Sequence, residues 1–409
     1  MRLLALVSLA LTVAACSGDD SAQPPTEPAR PPTEAARPLS EPAPPPAAST
    51  VTPTATTVVT PTATAAPRPP DPLLVGAIDD AVRQPGPHLG QLAAAGFRAV
   101  GITSYWDPGQ LAPTAGELAV LQDTASRAQS AGVRVFLAVF HRGSATTPIS
   151  DEARGQFAAY VSAIVQEVPA IGDVIVGNEP NLNRFWLPQF GPGGENVAAS
   201  AYFKLLTETY DAAKRARPSV RVWGGALAPR GIDRPNTGRD THSPTTFIRD
   251  LGAAYRASGR SAPPLDGFAL HPYPESPATP PDLPHPNSKT IGIADHAKLV
   301  DLLQEAFDTE PAILYSEFGV ETVIPAAKRP LYKGAEPVEP VDEATQADYY
   351  RRAIELASCQ PVVGLLLFHS HDEPFLTGFQ SGVYYVDGTP KASLEPVRAA
   401  IEAARAPRC

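Results

Sequence analysis

The chain has 409 residues, with 33 Lys+Arg against 43 Asp+Glu, a formal net charge of −10 and no cluster of basic side chains. That balance demotes a nucleic-acid binder, which needs a basic stripe to neutralise phosphates, and no nucleic-acid partner is expected. No apolar run approaches the roughly 18 residues of a membrane-spanning helix, which excludes a spanning membrane protein as well.

Met1-Arg2 is followed by an apolar stretch over 3–15 and then Cys16, the order of a charged n-region, a short h-region and small residues before a cleavage point. Val13-Ala14-Ala15-Cys16 resembles a bacterial lipobox. The resemblance implies that 1–15 are a signal peptide and that Cys16 is lipidated, anchoring an extracytoplasmic protein to the cell membrane. The segment 16–72 reads as a disordered Pro/Thr/Ala stalk, because 16 of the 48 prolines fall between Ser17 and Pro72. Such a composition favours extended, solvated chain that reaches at most about 170 Å.

From residue 73 to 409 short apolar runs alternate with stretches of helical period. The predicted strands cover 73–79, 98–106, 134–141, 173–179, 221–226, 267–271, 312–317 and 362–369. Helical patterns cover 117–130, 152–167, 199–215, 246–257, 294–307, 344–357 and 394–404. Ser150-Asp151-Glu152 and Asp342-Glu343 are recognisable caps, and Gly96, Gly132 and Pro218 are recognisable stops. The repeated alternation predicts an α/β fold, a (β/α)8 TIM barrel, as one domain over 73–409.

Loop lengths indicate which end of that barrel carries chemistry. The connections over 130–133, 169–172 and 216–219 are short, whereas those over 180–197, 229–243, 274–290, 319–341 and 370–388 are long. Only the long set surrounds the C-terminal ends of the strands, where this fold places its sites. Cys359 precedes the eighth strand and Cys409 follows the last helix, so both belong to the opposite face. With Cys16 lipidated they form an even pair in an oxidising compartment, and a disulfide is expected.

Two strand ends carry a carboxylate after an apolar run: Val176-Gly177-Asn178-Glu179-Pro180 on the fourth and Tyr315-Ser316-Glu317-Phe318-Gly319 on the seventh. A carboxylate there is costly unless paired or used. Strands four and seven face each other across a barrel, so Glu179 and Glu317 can address one central substrate. Opposed carboxyl groups are what glycosidic-bond cleavage needs.

Here the chain resembles the clan A glycoside hydrolases, with a flavour of the cellulase-like families 5 and 39. Asn178-Glu179-Pro180 looks like the signature ending the clan's fourth strand, and Glu317 looks like its strand-seven glutamate. The resemblance implies a retaining double displacement, with Glu179 as acid/base and Glu317 as nucleophile, on an oligo- or polysaccharide of β-glucan, mannan or xylan type. His271-Pro272-Tyr273 resembles a family 5 pattern in which the tyrosine hydroxyl bonds the nucleophile and the histidine contacts substrate. Asn178 is expected to bond a sugar 2-hydroxyl.

Trp106, ending the second strand, and Trp186, after the fourth, are expected as stacking walls, and His141 as a hydroxyl-binding group. Arg142 and the pair Asp372-Glu373 are weaker candidates, the pair being expected to shape the rim. The chain departs from the clan at two strand ends. Phe368-His369-Ser370-His371 stands where many members carry a tryptophan, and Thr103-Ser104-Tyr105-Trp106 stands where family 5 usually offers an arginine. A metal-dependent alternative would gather His141, His271, His369, His371 and Asp372, but no His-x-His opens it on the first strand, and neither metal nor cofactor is expected. The non-enzyme alternative is a surface glycan-binding protein on the same barrel.

Overall fold

The computed structural model describes residues 72–406 and Cys409, so the lipobox at Cys16 and the stalk up to residue 71 lie outside the described residues. Eight strands form in chain order: β1 (Leu74–Ile78), β2 (Ala99–Trp106), β3 (Arg134–His141), β4 (Asp173–Val176), β5 (Arg221–Leu227), β6 (Gly267–Leu270), β7 (Ala312–Phe318) and β8 (Val362–Phe368). They pair in parallel in that order, and β8 closes on β1. The helices are α1 (His88–Ala94), α2 (Ala115–Ser130), α3 (Asp151–Glu167), α4 (Val197–Ala216), α5 (Pro244–Ala257), α6 (His296–Phe307), α7 (Glu343–Ser358) and α8 (Leu394–Ala403). The chain is a (β/α)8 barrel, as expected.

The strands read as near-continuous apolar runs because both of their faces are covered. Side chains alternate across each strand, and two hydrophobic clusters record the alternation. Ala99, Phe136, Ile175, Trp223, Ala269, Leu314 and Leu366 fill the barrel interior. Val100, Ile102, Val135, Leu137 and Val139 belong instead to the layer beneath the helices. Gly267 makes room for the largest interior ring: a Cβ there would sit 2.3 Å from Trp223.

Two elements differ from the sequence reading. Helix α1 has no strong pattern, since Pro87 opens it without a side-chain cap and Gly90 interrupts its seven residues. Strand β4 stops at Val176, three residues early. Gly177 turns out of it at φ +84°, and Glu179 itself adopts φ +41°.

The N-terminal mouth of the barrel is closed by a buried ion network. Asp173 takes two bonds of 2.7 Å from the Arg134 guanidinium, one of 2.9 Å from Trp223 Nε1, and lies 3.0 Å from Arg221 Nε. On the same face Cys359, just after α7, is bonded to Cys409. The bridge closes a separation of 50 residues, a restraint on the unfolded chain worth up to about 4 kcal/mol.

Candidate active site

The site lies at the other mouth. When β4 ends, the left-handed turn through Gly177 and Glu179 swings the glutamate off the strand. Its backbone N–H donates to the Ala226 carbonyl of β5 at 2.8 Å. Ala226 also adopts a positive φ, +48°, where β5 slips register against β6. Two non-glycine residues in this region, roughly 1–3 kcal/mol of strain each, sit beside one carboxylate.

Glu317 projects from the last turn of β7 and His271 follows β6. One oxygen of each carboxylate and Nδ1 of His271 meet within 4.8 Å of one another. Nδ1 is 3.0 Å from Glu179 Oε1 and 3.5 Å from Glu317 Oε2. Tyr273 donates its hydroxyl to Glu317 Oε2 at 2.9 Å. The structure therefore brings together Glu179, Glu317, His271 and Tyr273. Asn178 stands beside them, half-buried, its side-chain amide without a hydrogen bond among the described residues.

The charges act on one another. Burial and the Glu179 charge push the Glu317 carboxyl up, more than His271 and the Tyr273 hydroxyl pull it down. Burial alone would lower the His271 imidazole, but the two carboxylates outweigh it and the net shift is upward. Tyr273 is raised well above the usual phenol range, first by burial and then by both glutamates, so it stays a neutral donor. Two carboxylates this close in a poorly solvated site resist carrying two negative charges at once.

Three of the expected sugar contacts fall elsewhere. Trp106 is fully buried, donates its Nε1 to the Gln110 carbonyl at 2.9 Å and meets Phe157 of α3 edge-on. Its even register on β2, shared with Val100 and Ile102, faces the helices. His141 has the same outward register on β3. It is 4% exposed, with Nδ1 2.8 Å from the Gly143 carbonyl and its ring edge-on to Trp186. Trp186 is buried in turn against Tyr202 of α4. All three are packing residues of the outer layer, and burial denies them a sugar face.

The same alternation identifies what the sequence reading missed. Tyr105, one residue before Trp106, shares the inward register of Ala99. It packs edge-on to Phe140 under the Arg142 guanidinium, 4.3 Å from the ring centroid, and feels the charges of Asp80 and Glu317. Arg142 is exposed and 3.5 Å from Asp107. At the end of β8, Phe368 and Phe379 form an aromatic corner with Tyr273.

Asp372 and Glu373 do shape the rim. Asp372 pairs with the fully buried Lys391 at 2.8 Å and accepts from Tyr332 at 2.7 Å, while Glu373 accepts from the Phe379 N–H at 2.7 Å.

The five residues of the metal alternative do not converge. His271 lies between the two glutamates, His369 is bonded to the Ile78 carbonyl, His371 to Asp79, and Asp372 to Lys391. Among the described residues two other sets, Glu179/His271/Glu317 and Asp79/His88/His371, place three ligand-type atoms within 4.8 Å. In the second set the His371 ring is spanned by hydrogen bonds, to Asp79 and to Gln91 Oε1, both at 3.0 Å.

No protein-family model matches the chain, and no curated protein does. Solved structures match at the level of fold. A glucosidase from Croceicoccus marinus aligns at TM-score 0.56 and 13% identity, over 82% of this chain and 68% of its own. A GH5_18 protein from Streptomyces cattleya, solved with GlcNAc, aligns at TM-score 0.56 and 17% identity, over 83% of each chain. A monomeric β-xylosidase from Caulobacter crescentus CB15 aligns at TM-score 0.51 and 16% identity, over 80% of this chain and 67% of its own. At these identities the likeness is one of fold.

Proposed function

We propose that the chain is an extracytoplasmic, lipid-anchored glycoside hydrolase that cleaves β-linked glycans with retention of configuration. The observation that carries this reading is the approach of Glu179 and Glu317 to within 4.8 Å, oxygen to oxygen, around His271 Nδ1. Retaining enzymes keep their carboxyl groups about 5–5.5 Å apart, whereas inverting enzymes hold them at ~6.5–9.5 Å to admit a water. The glycosidases among the solved structures of this fold support the reaction class.

Glu317 attacks the anomeric carbon as the glycosidic C–O bond breaks, and Glu179 gives its proton to the departing oxygen. The product is a glycosyl ester on Glu317. Having given its proton to the leaving group, Glu179 now stands as a carboxylate. It then takes a proton from water, whose oxygen attacks the same carbon and releases Glu317 as carboxylate. Tyr273 orients Glu317 through Oε2 without supplying a positive charge that would blunt the nucleophile. His271 ties the two glutamates together electrostatically.

The test is to incubate the protein with activated 2-deoxy-2-fluoro β-glycosides and measure intact and peptide mass. A covalent adduct on Glu317 supports the reading and names the accepted sugar. An adduct on another carboxylate overturns the role assignment. No adduct, together with no reducing sugar from β-glucan, mannan or xylan, overturns the proposed chemistry and favours glycan binding without turnover.

A further inference from the structure

The two departures from the clan's pattern, at the ends of β2 and β8, lie on the two strands that flank β1. The structure shows what occupies that sector. Asp80, two residues beyond β1, is solvent-exposed, and its Oδ1 accepts the Thr103 backbone N–H at 2.8 Å. Thr103 is its only hydrogen-bonding partner among the described residues. This bond ties the exposed carboxylate to β2 just beyond the end of β1, and the Thr103 side chain itself has the inward register of β2. Tyr105 follows in the same register and feels both Asp80 and Glu317. On the other flank the His369 ring is fixed through Nδ1 to the Ile78 carbonyl at 2.9 Å and lies against Phe368, at 3.8 Å between centroids. It too is within electrostatic reach of both Asp80 and Glu317.

This wall has a carboxylate, a phenol and an imidazole, and no indole or guanidinium is contributed by the ends of β2 and β8 facing it among the described residues. An indole holds a sugar by its flat face, whereas a carboxylate holds it by the edge, because its oxygens accept from neighbouring hydroxyls. We propose that Asp80, flanked by Tyr105 and His369, binds substrate by accepting hydrogen bonds from ring hydroxyls of the sugar addressed by Glu179 and Glu317, and so selects neutral sugars over uronic acids. A uronate in this pocket would meet Asp80, Glu179 and Glu317, while the neighbouring guanidiniums are already paired, Arg83 with Glu117 and Arg142 with Asp107, and like charges brought together are strongly disfavoured. The inference rests on the glycoside hydrolase reading and adds the substrate class.

The experiment compares the full chain with its Asp80→Asn variant, which keeps an acceptor for the Thr103 N–H and replaces the other oxygen by NH2. The probes are p-nitrophenyl β-glucoside, β-mannoside, β-xyloside and β-glucuronide, followed by singly deoxygenated forms of the best one. The expected result is a roughly 10–100-fold loss in kcat/KM, carried mainly by KM, at unchanged thermal midpoint. That loss shrinks to a few-fold on one deoxy analogue, the one lacking the hydroxyl that Asp80 reads. The wild type strongly disfavours the glucuronide, and the variant narrows the gap. An unchanged kcat/KM, or an equal loss on every deoxy analogue, overturns the assignment. If Asp80→Asn folds poorly, the deoxy series on the wild type decides: one deoxygenation costing about 10-fold or more supports the assignment, and no single deoxygenation costing that much overturns it.

Calorimetric titration with methyl β-glycosides separates the two levels of inference. Sugar binding weakened by Asp80→Asn, with no hydrolysis of any probe, keeps Asp80 and overturns the hydrolase reading. Hydrolysis indifferent to Asp80→Asn does the reverse. Neither binding nor hydrolysis overturns both.

Discussion

The two mouths of the barrel each hold carboxylates, Asp173 buried at one and Glu179 and Glu317 half-buried at the other, and they treat them in opposite ways. At the N-terminal mouth Asp173 is enclosed by Arg134, Arg221 and the Trp223 indole, so its charge is met by two guanidinium groups and three good hydrogen bonds. At the C-terminal mouth Glu179 and Glu317 face each other across a histidine and a phenol. Among the described residues neither glutamate makes a close ion pair with an arginine or lysine, although the Arg184 guanidinium lies within electrostatic reach of Glu179. The first arrangement spends its electrostatics on holding the fold. The second leaves charge undercompensated, which is what a group needs if it is to exchange a proton or attack a carbon.

The strongest way to break this contrast is to neutralise one carboxylate at each end. Glu317→Gln should lower kcat on an activated β-glycoside by about 10⁴-fold or more and raise the thermal midpoint at neutral pH, because a poorly compensated charge is removed. Hydrolysis assays with scanning calorimetry check both parts. Glu179→Gln should cost about 10²–10⁴-fold, more on substrates with poor leaving groups than on good ones.

Removing the bridge by Cys359→Ser with Cys409→Ser tests the stability face next. Up to about 4 kcal/mol should be lost in denaturant unfolding, with kcat unchanged at 25 °C. Asp173→Asn should follow at about 2–3 kcal/mol, the low side of a broken buried pair, since Arg134 and Arg221 remain partly solvated. Activity per folded molecule should stay as it was; a large fall in kcat would mean that the two mouths are not separate.

Tyr273→Phe sharpens the contrast on the catalytic side. The lost hydrogen bond favoured ionised Glu317, so the carboxyl should rise further. The acidic limb of the pH–kcat/KM profile should then move to higher pH, with about a 10-fold loss at its optimum.

The smallest effect concerns Glu321, just past β7. Burial, with Glu336, Glu373 and Asp372 nearby, pushes its carboxyl up to about 8. The folded state therefore binds this proton more tightly than the unfolded chain, whose carboxyl keeps its ordinary value near 4.5. Stability contributed by the proton should fall as pH rises between about 4.5 and 8. Glu321→Gln should flatten that dependence and raise the midpoint by a few degrees at pH 8, and melts taken across the range would check it.

Much of the molecule was legible in its residues. Eight apolar runs, caps such as Ser150 and Asp342, and the asymmetry of loop lengths follow from local periodicity, and each element they imply is present. The strand-end glutamates were legible as carboxylates placed directly after apolar runs, and His271 and Tyr273 through their resemblance to a family 5 pattern. The aromatic contacts were not. Trp106 and Tyr105 are adjacent, and a shift of one residue sends a side chain to the opposite face of a strand. Composition says only that both are aromatic.

What the sequence by itself determined is the order of strands and helices, the end of the barrel that carries the long loops and the carboxylates that stand there. These depend on hydrophobic period and on neighbours in the chain. Only the tertiary structure decided that Glu179 and Glu317, 138 positions apart in the chain, meet within 4.8 Å. It also decided that Trp186 is buried while Asp80, two residues past β1, is exposed. Closure of β8 on β1 and the register of eight strands set those distances, and register is a property of strand pairs that no single strand encodes.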